Sequence, residues 1–132
     1  MVDILIKNGF IITMDKQRRV IPKGALYIDD GKIISIGKRG KIQTPTSPEF
    51  VIDAKNKVVL PGFVNVHTHL PSIFVRGVYG LVAQGLYKIL FPVKKYIRPE
   101  DMYLFGLASC AEAIYGGSTT IVDTYNYLDY FA

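Results

Sequence analysis

Over the first sixty residues, short apolar stretches alternate with polar turns at the period of β-strands, and no helical stripe runs through them. Val2 to Lys7 alternates loosely, and Asn8-Gly9 predicts a turn before a second strand from Phe10 to Met14. A second hairpin is clearer. It runs from Ala25 to Ile28, turns at Asp30-Gly31, and returns from Ile33 to Gly37. Thr44 to Pro48, with two prolines, reads as a loop. Val51 to Asp53 and Val58 to Leu60 are further short strands around a polar turn at Lys55 to Lys57.

The pattern changes at Pro61-Gly62. Phe63 to His67 is an apolar run without clean alternation, which predicts a strand buried on both faces. Residues 81–91 read as helical, interrupted at Gly85 and ended by Pro92. A firmer helix spans Pro99 to Tyr115. Pro99 suits its first turn, Glu100 and Asp101 favour the positive end of its dipole, and Gly116-Gly117 stops it. Leu104, Leu107, Ala108, Ala111, Ile114 and Tyr115 recur along it with helical spacing. Thr119 to Asp123 is a second buried strand. Strand, helical crossover and strand make a βαβ unit, expected to be right-handed with parallel strands.

Composition narrows the class. The 132 residues suit one domain, and a hydrophobic share of 49% is that of a globular chain. The net charge of +5 comes entirely from residues 1–57, with eleven Lys or Arg against six acids; residues 58–132 balance at five against five. No basic run exceeds pairs such as Arg18-Arg19 and Lys94-Lys95, so the excess predicts a solvated face and no nucleic-acid partner. The single cysteine, Cys110, lies among apolar neighbours and is expected to be a buried structural thiol in a reducing compartment. The start, MVDILIKNGF, lacks the pattern of a secretion signal. The most apolar stretch, Phe74 to Val93, carries Arg76, Lys88 and three glycines, a poor membrane span. The expectation is a cytoplasmic protein with no membrane partner.

The chemistry concentrates in two residues. His67 and His69 are the only histidines, and residues i and i+2 of a strand point to one face, so both rings aim into one volume. At the C-terminal end of a parallel strand, that volume is where α/β folds place their sites, and neutral imidazole is a common ligand of divalent ions.

The run Pro61-Gly62-Phe63-Val64-Asn65-Val66-His67-Thr68-His69-Leu70 resembles the signature of the amidohydrolase superfamily, P-G-[FL]-[IV]-[DN]-x-H-x-H on the first barrel strand. The likeness extends upstream through Lys7-Asn8-Gly9 and Asp30-Gly31-Lys32-Ile33. It extends downstream through Arg76-Gly77, Pro99-Glu100-Asp101 and Gly117 to Asp123. This is similar to the branch of cytosine deaminases, chlorohydrolases and deaminases of S-adenosylhomocysteine. The resemblance implies an α/β fold: a partial N-terminal β-sandwich over residues 1–60, then the first βαβ unit of an incomplete TIM-like (β/α)8 barrel over 61–132. It implies that His67 and His69 ligate one divalent metal ion, zinc foremost and iron as the alternative. Metal-activated water would then attack a nitrogen heterocycle and expel ammonia, an amine or chloride.

The remaining residues of such a site, a third His, an Asp and the proton-shuttling Glu and His, belong by that resemblance to later strands that are not here, and no histidine follows His69. An eight-stranded barrel needs about 250 residues. The isolated chain is therefore expected to be inactive: a truncated reading frame, part of a split enzyme, or a chain adapted to a different compact fold. The rival function is a noncatalytic module that self-associates or pairs with a second chain through exposed apolar strands. Arg76 is a candidate substrate contact or loop anchor. Gln84-Gly85 stands where deaminases of adenosine derivatives carry a ribose-binding Glu-Trp pair. That leaves Gln84 as a candidate substrate contact and weakens the case for a nucleoside. Asp123 reads as a cap or hydrogen-bond anchor for the following loop rather than as a catalytic group, and Glu112 as a solvated residue. Tyr125, Tyr127, Tyr130 and Phe131 are candidates for a pocket lining.

Overall fold

The structure, a computed structural model, describes residues 3–44, 47–81 and 83–124. They divide into two compact units that meet in sequence at Pro61-Gly62.

The first unit is one five-stranded sheet. Strands β1 (Ile4–Ile12), β2 (Val20–Asp29) and β3 (Lys32–Lys38) pair antiparallel in sequence order. On the other edge of β1, strands β4 (Phe50–Asp53) and β5 (Val58–Val59) pair with it in parallel. The Asp30-Gly31 hairpin forms as expected. Asp29 faces Lys32 across a two-residue turn with positive φ at both Asp30 (47°) and Gly31 (69°), the geometry that follows the twist of the flanking strands.

Asn8-Gly9 behaves differently. It was expected to end a strand, yet β1 runs straight through it, and the ladder with β2 slips between Lys7 and Gly9. The pair forms a β-bulge. Asn8 takes the left-handed conformation (φ 66°) and donates from Nδ2 to Asp53 Oδ1 at 2.9 Å, while Arg39 Nη1 donates to Asn8 Oδ1 at 2.8 Å. Gly9 is needed for a separate reason: a Cβ there would lie 2.7 Å from Val59 Cγ2. Partners on two neighbouring strands thus turn a hairpin signal into a bulge. Ile11, Ile21 and Leu26 form the core of this unit, with Ile6, Ile28, Ile36 and Val59 packed around them.

In the second unit, β6 (Phe63–Thr68) and β7 (Ser118–Asp123) pair in parallel around a connection that includes α1 (Phe91–Lys94) and α2 (Pro99–Tyr115). A 3-10 segment, Leu70–Val75, follows β6 and was not foreseen. Pro92 does not end a helix. A π-helical turn at Leu86–Leu90 runs directly into α1, which holds Pro92 in its first turn. At the start of α2, the Asp101 carboxylate accepts from the Arg98 backbone N–H at 3.0 Å and from Arg98 Nε at 3.0 Å. These bonds hold its carboxyl below the usual aspartate range.

Two expectations about burial fail. The β6 strand, expected to be covered on both faces, leaves Val64 59% and Val66 70% exposed. On α2, the side that packs carries Met102, Phe105, Gly106 and Ser109, while Leu104, Leu107 and Ile114 of the recurring stripe face solvent. A helix apolar on more than one side needs cover beyond what the described residues supply. Cys110 is half-buried, less than expected. No helix among the described residues is long and apolar enough to cross a membrane.

Candidate metal centre

The second sheet is built around its glycines. A Cβ at Gly62 would lie 2.0 Å from Thr119 Oγ1, so this position admits only glycine without moving β7. Gly117 adopts φ +86°, and its carbonyl accepts from the Phe63 N–H at 2.8 Å to open the ladder. Between Asn65 and Thr68 the ladder slips by one residue, because three steps along β6 match two along β7. The His67 N–H falls in that gap, and Asn65 Oδ1 accepts it at 3.1 Å. Asn65 thereby satisfies a backbone donor that the sheet leaves out.

His67 lies within β6 and His69 just past its end, both exposed. Their ring centroids are 5.4 Å apart with planes at 72°. A ring bound to a metal through one nitrogen has its centroid about 3 Å from the ion, so two such rings at a tetrahedral angle have centroids about 5 Å apart. The observed separation fits joint ligation of one ion. Thr124 Oγ1 lies 3.5 Å from His69 Nδ1. Among the described residues, no group of three or more His, Cys, Asp and Glu is placed to hold a metal. The two histidines stand short of the three protein ligands usual for catalytic zinc.

The turn after His69 is tied to both neighbouring elements. Asp123 Oδ2 accepts from the Leu70 N–H at 3.1 Å, and Ser109 Oγ on α2 donates to the Leu70 carbonyl at 2.5 Å. Asp123 thus anchors the loop after β6, and not the loop following Asp123 itself that was expected. The Phe74 and Phe105 rings pack 5.2 Å apart.

Glu112 is exposed, as expected, and its Oε1 pairs with Arg76 Nη1. An isolated glance at either charge could not foresee the other, 36 residues away. His69, Arg76 and Glu112 line one open groove of about 440 Å³, with Asn65, Ser72 and Ser109 among its other walls. Gln84 is not among the residues lining it. It sits at φ 60°, and its carbonyl accepts from the backbone N–H groups of Tyr87 and Lys88 at 2.9 and 3.0 Å. Tyr125, Tyr127, Tyr130 and Phe131 lie outside the described residues. Sequence reasoning missed Asn65 and Ser109 as backbone partners, since neither hydrogen bond leaves a periodic trace.

Residues 58–131 match the pattern of the Amidohydrolase family. The chain is 40% identical over 131 residues to the 5′-deoxyadenosine deaminase of Methanosarcina mazei, covering 98% of this chain and 29% of that protein. It is 36% identical over 125 residues to the 5-methylthioadenosine/S-adenosylhomocysteine deaminase of Nitratidesulfovibrio vulgaris, covering 93% and 28%. The crystal structure of atrazine chlorohydrolase from Arthrobacter aurescens TC1 complexed with zinc matches with a TM-score of 0.78 at 26% identity, over 96% of this chain and 32% of that one. The chain therefore spans less than a third of the length of these proteins and shares its α/β fold with a part of one of them. With the family pattern matched over more than half its length, on residues that include the histidine pair, this chain belongs to the amidohydrolase family.

Proposed function

We propose that this chain is the opening part of a metal-dependent aminohydrolase in which His67 and His69 together hold one divalent ion, zinc foremost. The observation that carries the reading is the pair of adjacent rings, 5.4 Å apart, at the C-terminal end of a parallel strand. Zinc is supported by the zinc complex of the chlorohydrolase. When bound, the ion supplies an activated water near neutral pH. The chain's own part is to offer two neutral imidazole nitrogens, to fix their spacing through Asn65 and the turn at Leu70, and to present Arg76 at the groove as a substrate contact. The whole reaction consumes one water, breaks the exocyclic bond between a ring carbon and its amino group, leaves oxygen on that carbon and releases the amino nitrogen as ammonia.

Deamination of an adenosine-type nucleoside is the reading favoured by the two deaminases at 40% and 36% identity. A heterocycle without a ribose is the second reading, supported by Gln84-Gly85 where the resemblance places a ribose-binding Glu-Trp pair. We place the first sheet in a partial β-sandwich and β6, α2 and β7 in the first βαβ unit of a TIM-like barrel. The exposed faces of β6 and α2 support this, because a completing segment or second chain would bury them.

Zinc titration followed through the ring C–H resonances of the two histidines tests the metal reading. Both sets should shift together, and His67→Ala should abolish the shift of His69. Titration that moves neither ring overturns it. Incubated with 5′-deoxyadenosine and zinc, the 132-residue chain should release no ammonia; measured turnover would overturn the proposed incompleteness.

A further inference from the structure

The chain leaves strand geometry at His69, where φ is −134° and ψ is 75°, and enters the 3-10 turn that begins at Leu70. The ψ angle of His69 is set by where the next N–H points, and that N–H is the one Asp123 holds. On the far side of Leu70, the carbonyl is held by Ser109. The two anchors come from different elements, β7 and α2, and lie 53 and 39 residues away in sequence. Leu70 between them is 9% exposed and the following Pro71 is fully buried, so this peptide has little room to rotate.

We propose that Asp123 and Ser109 are positioning residues that clamp the backbone at Leu70 and so set the His69 ring against His67. The bond from Asp123 is charge-assisted and stronger than a neutral one. It acts on the peptide directly joined to His69: with β6 fixed upstream, a held Leu70 peptide leaves little freedom to the Thr68 ψ and His69 φ rotations, which are the ones that carry the ring. The inference builds on the histidine pair as a metal site, yet the clamp acts before any metal arrives and is measurable without one.

The test uses the metal-free 132-residue chain, in which only two imidazole spin systems exist. A cross-relaxation peak between the ring protons of His67 and His69 should be present in the native chain. It should fall severalfold in Asp123→Ala and return in Asp123→Asn, which keeps an oxygen acceptor for the Leu70 N–H. Ser109→Ala should weaken it to a smaller extent. Zinc affinity should drop about tenfold in Asp123→Ala, the scale on which groups behind metal ligands act. A native-strength peak in folded Asp123→Ala overturns the proposal, as does failure of Asp123→Asn to restore it, which would mean that charge and not the hydrogen bond matters. Where Asp123→Ala does not fold, Ser109→Ala decides: an unchanged peak there overturns the clamp. Absence of any zinc effect on the native rings, with the peak pattern as expected, sinks the metal reading and leaves the clamp standing.

Discussion

The two units treat the same kind of residue in opposite ways. In the first, apolar side chains of adjoining strands bury one another: Ile11 is 2% exposed and Leu26 5%. In the second, β6 carries equally apolar residues, yet Val64 and Val66 remain 59% and 70% exposed. Among the described residues, the first unit gathers several strands around β1, while β6 pairs with a single partner, β7. What differs is how much neighbouring chain each strand has. Apolarity states what a strand would bury, and only the surroundings decide whether it does. The chemistry-bearing residues all belong to the less covered unit, so its site is assembled by hydrogen bonds and glycine contacts more than by a deep core.

That contrast is open to a direct test. Leu26→Ala should cost about 2–5 kcal/mol and strip hydrogen-exchange protection from β1 to β3, because it empties a filled core. Val66→Ala should cost at most about 0.5 kcal/mol, the scale of surface changes. Comparable losses at both positions would show that β6 is covered in solution, by a second copy for instance.

Next in size, Gly62→Ala should destabilise the β6–β7 pairing by about 1–3 kcal/mol through the clash with Thr119, read as lost amide protection at Phe63 to Asn65. Full protection in that variant would mean β7 shifts freely, and the second unit would be looser than described.

The smallest effect concerns acid. Asp53 is held below the usual aspartate range, chiefly by the hydrogen bond from Asn8 and then by the Lys55 N–H, and Asp101 by Arg98. A carboxyl with a lowered folded value adds stability that is present above its unfolded value and is lost as pH falls through the folded one. Thermal stability should therefore decline modestly below about pH 4, the unperturbed aspartate range. Asp53→Asn should flatten that decline for β1 and β4, and Asp101→Asn for α2. An identical acid response in both variants would remove these carboxyls from the account.

Much of the architecture was legible in the chain itself. Strand periodicity, the Asp30-Gly31 turn, the bounds of α2 and the His-x-His at the end of an apolar run are all local signals. Each depends on residues within a few positions of one another. Others needed the fold. Asn8-Gly9 is a hairpin signal by itself, and it became a bulge because Asp53, Arg39 and Val59 lie across from it. The recurring apolar stripe of α2 located the helix and misjudged its packed side, since both sides are apolar and only Leu70 to Val75 lying alongside selects one.

What the sequence determined by itself was the order and type of most elements and the two imidazoles on one strand, because backbone periodicity and turn geometry are set within a short window. What only the tertiary structure decided was the partnering: Glu112 for Arg76, Asn65 for the stray N–H of His67, Asp123 and Ser109 for Leu70. A hydrogen bond or ion pair spanning dozens of residues depends on where two elements come to rest, and no repeat along the chain records that.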